Sequence, residues 1–120
     1  MSAKRLLFIF SASPFGNSLG SAGLDAVLAA SVFDQDVTLI FQMDGIYQLV
    51  DGGNSASIGL KDYRKGFKAL EMYGVDKVIV DAADLNERGL TGNELAIPVQ
   101  LLTRKEIAAV IQQADTVLSF

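Results

Sequence analysis

Arg5-Leu6-Leu7-Phe8-Ile9-Phe10, followed at once by Ser11-Ala12-Ser13-Pro14-Phe15-Gly16, decides the fold class. A continuous apolar run without alternating polar positions fits a strand buried on both faces, as in the middle of a parallel sheet. The basic start Met1-Ser2-Ala3-Lys4-Arg5 superficially suits a signal peptide, but the apolar part is short and leads into a Pro/Gly loop. The run is therefore read as a first strand. No apolar stretch reaches the roughly 18 residues a bilayer crossing needs, so no membrane association and a cytoplasmic location are expected.

Outward from this strand the pattern alternates. Leu24, Val27, Leu28 and Val32 recur at helical spacing and predict a helix over 18–31. Val37, Leu39, Ile40 and Phe41 predict a second strand over 36–42, closed by the turn pair Asp44-Gly45 and a short apolar segment over 46–50. Asp51-Gly52-Gly53-Asn54-Ser55 reads as a polar loop that orders on binding. Tyr63, Phe67 and Leu70 mark one face of a helix over 59–73, with Lys61, Arg64, Lys65 and Lys68 on another, ending at Gly74.

Lys77-Val78-Ile79-Val80 makes a third strand over 76–81, and 82–90 a helical turn closing at Gly89. Ile97 to Leu102 reads as a fourth strand. Thr103-Arg104-Lys105-Glu106 has the form of a capping box opening a helix over 104–113. Asp115 to Phe120 supplies the last strand. The expectation is one domain over 1–120, a three-layer α/β/α sandwich with a mostly parallel sheet of about five strands.

Composition restricts the chemistry. The 120 residues contain no cysteine and no histidine, which removes the thiolate nucleophile, the usual neutral-pH proton carrier and two common metal ligands. Catalytic, cofactor-binding and metal-binding residues are accordingly expected to be none. Half of the residues are apolar and mean hydropathy is +0.32, so an oligomer interface is expected. From Leu6 to Leu60 there is no Lys or Arg, and net charge is −4, which argues against direct binding of tRNA or other nucleic acid.

Ligands of parallel sheets gather beyond the carboxyl ends of the strands. There, Gly16, Gly20 and Gly23 suggest either a phosphate loop or close helix packing. Their spacing matches neither G-x-G-x-x-G nor G-x-x-x-x-G-K-[ST], so packing is preferred. Asp44, Asp81 and Asp84 suggest either a metal or general-base cluster or ordinary capping, and capping is preferred. The basic stripe is read as a solvated face in preference to a docking face. Ser11 and Ser13 have no histidine to activate them. Tyr47, Tyr63 and Tyr73 read as core or interface residues rather than acids.

The ordered set Phe8-Ile9-Phe10-Ser11-Ala12-Ser13-Pro14-Phe15-Gly16, Gly23-Leu24-Asp25-Ala26, Asp44-Gly45-Ile46-Tyr47-Gln48-Leu49, Asp62-Tyr63, Phe67-Lys68-Ala69-Leu70 with Tyr73, Leu85-Asn86-Glu87-Arg88-Gly89-Leu90 and Val117-Leu118-Ser119-Phe120 resembles the TusC/DsrF family over essentially the whole chain. The resemblance implies a DsrE/F-like fold and a non-catalytic subunit of a TusBCD-type sulfur relay serving 2-thiolation of the tRNA wobble uridine. TusB-like and TusD-like subunits would complete a heterohexamer, a dimer of trimers. The persulfide would ride on a cysteine of the TusD-like partner and pass to a TusE-like acceptor.

Asp44, Tyr47, Gln48, Glu87 and Arg88 are the candidate partner contacts. Arg88 is read either as pairing with a carboxylate or stabilising an anionic sulfur, or as a salt bridge to Glu87, Glu94 or Asp84. Two alternatives remain beside this reading. One is a DsrF-like subunit of a sulfur-oxidation complex, and the other a homo-oligomeric domain binding a small molecule.

Overall fold

The computed structural model describes residues 4–14, 18–33, 35–50 and 63–120. The expectations for Gly16, Lys61, the 51–55 loop, residues 59–62 and the Tyr63 side chain lie outside the described residues.

Five strands form the sheet: β1 (Arg5–Phe10), β2 (Asp36–Phe41), β3 (Lys77–Asp81), β4 (Gln100–Leu102) and β5 (Thr116–Ser119). They lie in the order β4-β3-β2-β1-β5, every pair parallel. β1 and β2 carry apolar residues on both faces, and sheet pairing on both sides places them in the interior. Ile9 pairs with Ile40, and Ile40 with Ile79, so three isoleucines form one cross-strand row.

On one face, helix α1 (Leu19–Ser31) and a 3-10 segment (Tyr63–Tyr73) cover Phe8, Phe10, Leu39, Phe41, Val78 and Val80. Phe10 stacks on Phe41 with ring centroids 4.8 Å apart, and Phe67 meets both rings edge-on at 5.7 and 5.3 Å. Burying each of these rings contributes on the order of 1.5–3 kcal/mol. At Gly23 helix α1 packs directly against the aromatic side chains of the sheet. A Cβ there would sit 2.5 Å from Phe10 Cε1 and 2.9 Å from Phe120 Cγ, which supports the packing reading of that glycine.

The opposite face carries helix α3 (Arg104–Gln112). It starts beyond the carboxyl end of β4 and returns to the amino end of β5, crossing from one sheet edge to the other. Ile107 is buried there among Leu7, Ile9, Ile40 and Ile79. Thr103 Oγ1 accepts from the Glu106 amide at 3.2 Å, and Glu106 Oε1 accepts from the Thr103 amide at 3.0 Å, so the expected capping box forms.

Three elements differ from expectation in type or extent. The described part of the 59–73 helix is 3-10 rather than α. Its buried residues Phe67 and Leu70 are three apart, which is the 3-10 repeat, and Gly66 weakens an α-helix at that point. β4 has three residues instead of six. Pro98 has no amide to donate, and the chain before it is held by the Ala96 amide on the Leu49 carbonyl at 2.7 Å. Helix α2 (Ala82–Glu87) stops before Leu90 because Gly89 turns left-handed at φ 67° and the Leu90 amide closes back on the Leu85 carbonyl.

Candidate functional site

β3 ends in Asp81, whose Oδ1 accepts the Asp84 amide at 3.0 Å and so caps α2. Capping therefore holds for Asp81, as the sequence suggested. Asp84, in the first turn of α2, has a second role. Its Oδ2 accepts the Met43 amide at 2.9 Å, and its Oδ1 accepts from Arg104 Nη2 at 2.7 Å. One buried carboxylate thereby joins the exits of β2 and β3 to the first residue of α3.

Arg104 reaches three acids: Asp84, Asp81 through Nε at 3.5 Å, and Glu87 at 3.6 Å. The Asp84 hydrogen bond and charge raise the guanidinium pKa further, with Asp81 and Glu87 adding to it. Burial pushes the Asp84 carboxyl up. The Met43 amide, the Arg104 hydrogen bond and the Arg104 and Arg88 charges together outweigh burial and hold it below its ordinary value.

Arg88 occupies the C-cap of α2, one turn after Asp84. Its Nη1 donates to the Asp84 carbonyl at 3.0 Å, and Nε and Nη2 donate to Asp44 Oδ1 at 3.3 and 3.0 Å. Asp44 is thus the ion-pair partner of Arg88, in place of the expected Glu87, Glu94 or Asp84 carboxylates. Glu87 turns to Arg104, and Glu94 is held in a local capping box with Thr91. Asp44, Asp84, Glu87 and Arg88 come together in one cluster.

The 3-10 segment Met43–Leu49 leaves this cluster. Tyr47 lies on it with 38% of its surface exposed. Gln48 points inward, only 2% exposed, and its Nε2 donates to the Ala12 carbonyl at 3.0 Å. That corrects its assignment as a surface contact: the segment's turn directs this amide toward the loop after β1, where a buried polar group needs a partner. Ser11 is engaged likewise, its Oγ accepting from Gln42 Nε2 at 3.0 Å. On the basic stripe, Arg64 Nη1 reaches toward the Tyr47 carbonyl at 3.5 Å, while Lys65 and Lys68 are exposed.

Sequence reasoning missed two residues. Arg104 carried a signal only as the first helical residue after a cap, and its role depends on β3 and β4 being neighbours. Met43 carried none. It is the one non-glycine residue with positive φ among the described residues, at 52°, and its side chain is 53% exposed. A left-handed conformation costs an L-residue roughly 1–2 kcal/mol. The Asp84 carboxylate holds the backbone there.

Beside Met43 lies an open groove of about 540 Å³. It is lined by Met43, Ile107, Ala108 and Ile111 together with Gln42 and the charged residues Asp81, Asp84, Glu87, Arg88 and Arg104. It can seat an apolar group with a charged neighbour. Neither thiol nor imidazole is available to it, because the chain has none.

Fold and site define a parallel α/β domain with a charged network at the carboxyl ends of its strands. The DsrE/DsrF-like family profile matches residues 4–120, and the chain belongs to that family. It is 38% identical over 116 residues to the Protein TusC homolog of Vibrio parahaemolyticus, covering 97% of this chain and 98% of that one. It is 42% identical over 87 residues to the Protein TusC of Escherichia coli, covering 72% and 73%. The ychN protein of E. coli superposes with a TM-score of 0.83 over 98% of this chain and 99% of that one, at 19% identity, a likeness of fold alone.

Proposed function

We propose that this chain is a non-catalytic subunit of a cytoplasmic sulfur-relay complex of the TusBCD type, acting in 2-thiolation of the tRNA wobble uridine. The observation that carries the reading is the absence of cysteine from a chain so similar to TusC proteins. Persulfide transfer needs a thiolate, so the sulfur is carried by a cysteine of a TusD-like partner and handed to a TusE-like acceptor. A TusB-like subunit completes the heterohexamer.

Surface chemistry supports a subunit role. Val32, Phe33, Met43 and Met72 each expose more than half of their surface, and Val117 and Leu118 are exposed on the edge strand β5. Apolar surface of this kind is usual where chains associate. Asp44, Tyr47, Glu87 and Arg88 are the contacts assigned to partners. The negative net charge supports tRNA contact through other members of the relay rather than this chain.

The test is co-expression with two family members, one bearing a cysteine, followed by purification on a tag carried by this chain and native mass spectrometry. A mixed hexamer with two copies of each chain is expected. A stable homo-oligomer or monomer that ignores both partners overturns the reading.

A further inference from the structure

The chain contains two Asp-Gly pairs, Asp44-Gly45 and Asp51-Gly52. Aspartate before glycine is prone to isomerise, because a residue without a Cβ leaves its amide nitrogen unshielded beside the preceding carboxyl group. At residue 45 the fold demands glycine. A Cβ there would fall on the Phe10 carbonyl oxygen and lie 2.5 Å from the Phe10 carbonyl carbon, and this is main chain that cannot swing aside. The turn that carries Met43–Leu49 past the end of β1 therefore creates a chemical hazard at Asp44.

In the hazardous reaction the Gly45 amide nitrogen bonds to Asp44 Cγ. A Cγ–O bond of the protonated carboxyl group breaks, and that oxygen departs as water with its own proton and the amide proton, leaving a cyclic imide. A second water then opens the ring. Attack at the side-chain carbon restores aspartate, whereas attack at the main-chain carbonyl carbon leaves isoaspartate, with one methylene added to the main chain. That lengthening would fall in the segment that seats Gln48 Nε2 on the Ala12 carbonyl at 3.0 Å.

Two contacts oppose the first step. The Gly45 amide donates to the Gln42 carbonyl at 3.0 Å, so the proton that must leave is held. Arg88 Nε and Nη2 both donate to Asp44 Oδ1, at 3.3 and 3.0 Å, while Arg88 Nη1 is anchored on the Asp84 carbonyl at 3.0 Å. The Arg88 side chain is 18% exposed and that of Asp44 60%, so a fixed cation restrains a carboxylate that would otherwise turn freely in solvent.

We infer that Asp44-Gly45 is a latent isoaspartate site, and that Arg88 is its positioning residue, pinning the carboxylate so that ring closure is slow. This inference goes beyond the sulfur-relay reading and stands without it.

The test follows isoaspartate at each pair by peptide mapping, with fragmentation that distinguishes the two isomers, during prolonged warm incubation. In urea both pairs should form isoaspartate, and folding should slow the reaction at Asp44 at least about tenfold. Arg88→Ala and Arg88→Gln, assayed folded, should each speed it about threefold or more over the folded wild type, the factor that loss of a partly exposed ion pair allows. Arg88→Gln keeps part of the side-chain stem and carries the comparison if Arg88→Ala fails to fold. Val27→Ala, a truncation of a fully buried residue on α1, lowers stability but removes neither contact, and should leave the Asp44 rate unchanged.

Equal rates at Asp44 in the folded and urea-unfolded wild type would overturn the inference, as would the absence of isoaspartate at Asp44 in urea. Wild-type rates in the Arg88 variants would overturn the role given to Arg88. Acceleration of the same size in Val27→Ala would overturn it too, by making general loss of stability the cause.

Discussion

Arg104 Nη2 donates to Asp84 Oδ1 at 2.7 Å, across 20 residues of sequence and between two different helices. The bond pins the start of α3 to the first turn of α2, and Asp84 carries the connection on to Met43. Removing the carboxylate therefore breaks more than one contact. Asp84→Ala leaves the Met43 amide and the Asp81–Arg104 pair without their buried centre, and should cost about 1–3 kcal/mol, measurable as a lower urea midpoint with unchanged slope.

Acid should release the same contacts. Asp84 has its pKa lowered in the folded chain, so the unfolded chain binds the proton more readily. Its stabilisation is present above the unfolded carboxylate pKa of about 4 and is lost as pH falls through the lower folded value. Chemical denaturation across that range should show stability declining toward acid. Asp84→Asn should flatten part of that decline while lowering stability at neutral pH.

The α3 cap gives a separate expectation. Glu106 is held below its ordinary pKa by the Thr103 amide and then by the Thr103 hydroxyl. Thr103→Ala removes one half of the box and should cost about 1 kcal/mol. Because α3 places Ile107 over the isoleucine row of the sheet, amides of α3 should lose hydrogen-exchange protection in this variant before those of β1.

At Gly23 the expectation is steric. Ala there would bring a methyl group into Phe10 and Phe120, and overpacking of this kind costs about 1–3 kcal/mol. A phosphate or nucleotide should give no protection to the wild-type chain in thermal unfolding, since the glycine is occupied in packing.

The fold was largely legible in the sequence, and the reason lies in particular residues. Two-sided burial makes Leu6 to Phe10 a continuous apolar run and leaves Thr38 as the one polar residue from Val37 to Phe41, and Thr103 with Glu106 marks a helix start through local chemistry alone. Less could be read where sheet order mattered. That β3 lies beside β4, which brings Arg104 over Asp81 and Asp84, depends on how distant segments pair. Nothing local distinguishes the Asp44–Arg88 pair from a bridge to Glu94.

Gln48 was misplaced for a related reason. A glutamine beside an exposed tyrosine reads as surface, and only the turn of the Met43–Leu49 segment sends it toward Ala12. Met43 was invisible because its meaning lies in a backbone angle imposed by Asp84, 41 residues away.

The most direct test of the central claim is a sulfur-loading experiment on the assembled complex. The chain would be incubated with a persulfide donor, alone and together with its cysteine-bearing partner, and each chain weighed by mass spectrometry for the gain of one sulfur atom. The account predicts that sulfur loads onto the partner's cysteine, leaves this chain unmodified in both conditions, and moves to an acceptor only when this chain is present. Sulfur carried covalently by this chain alone, or transfer that proceeds equally well without it, would contradict the account.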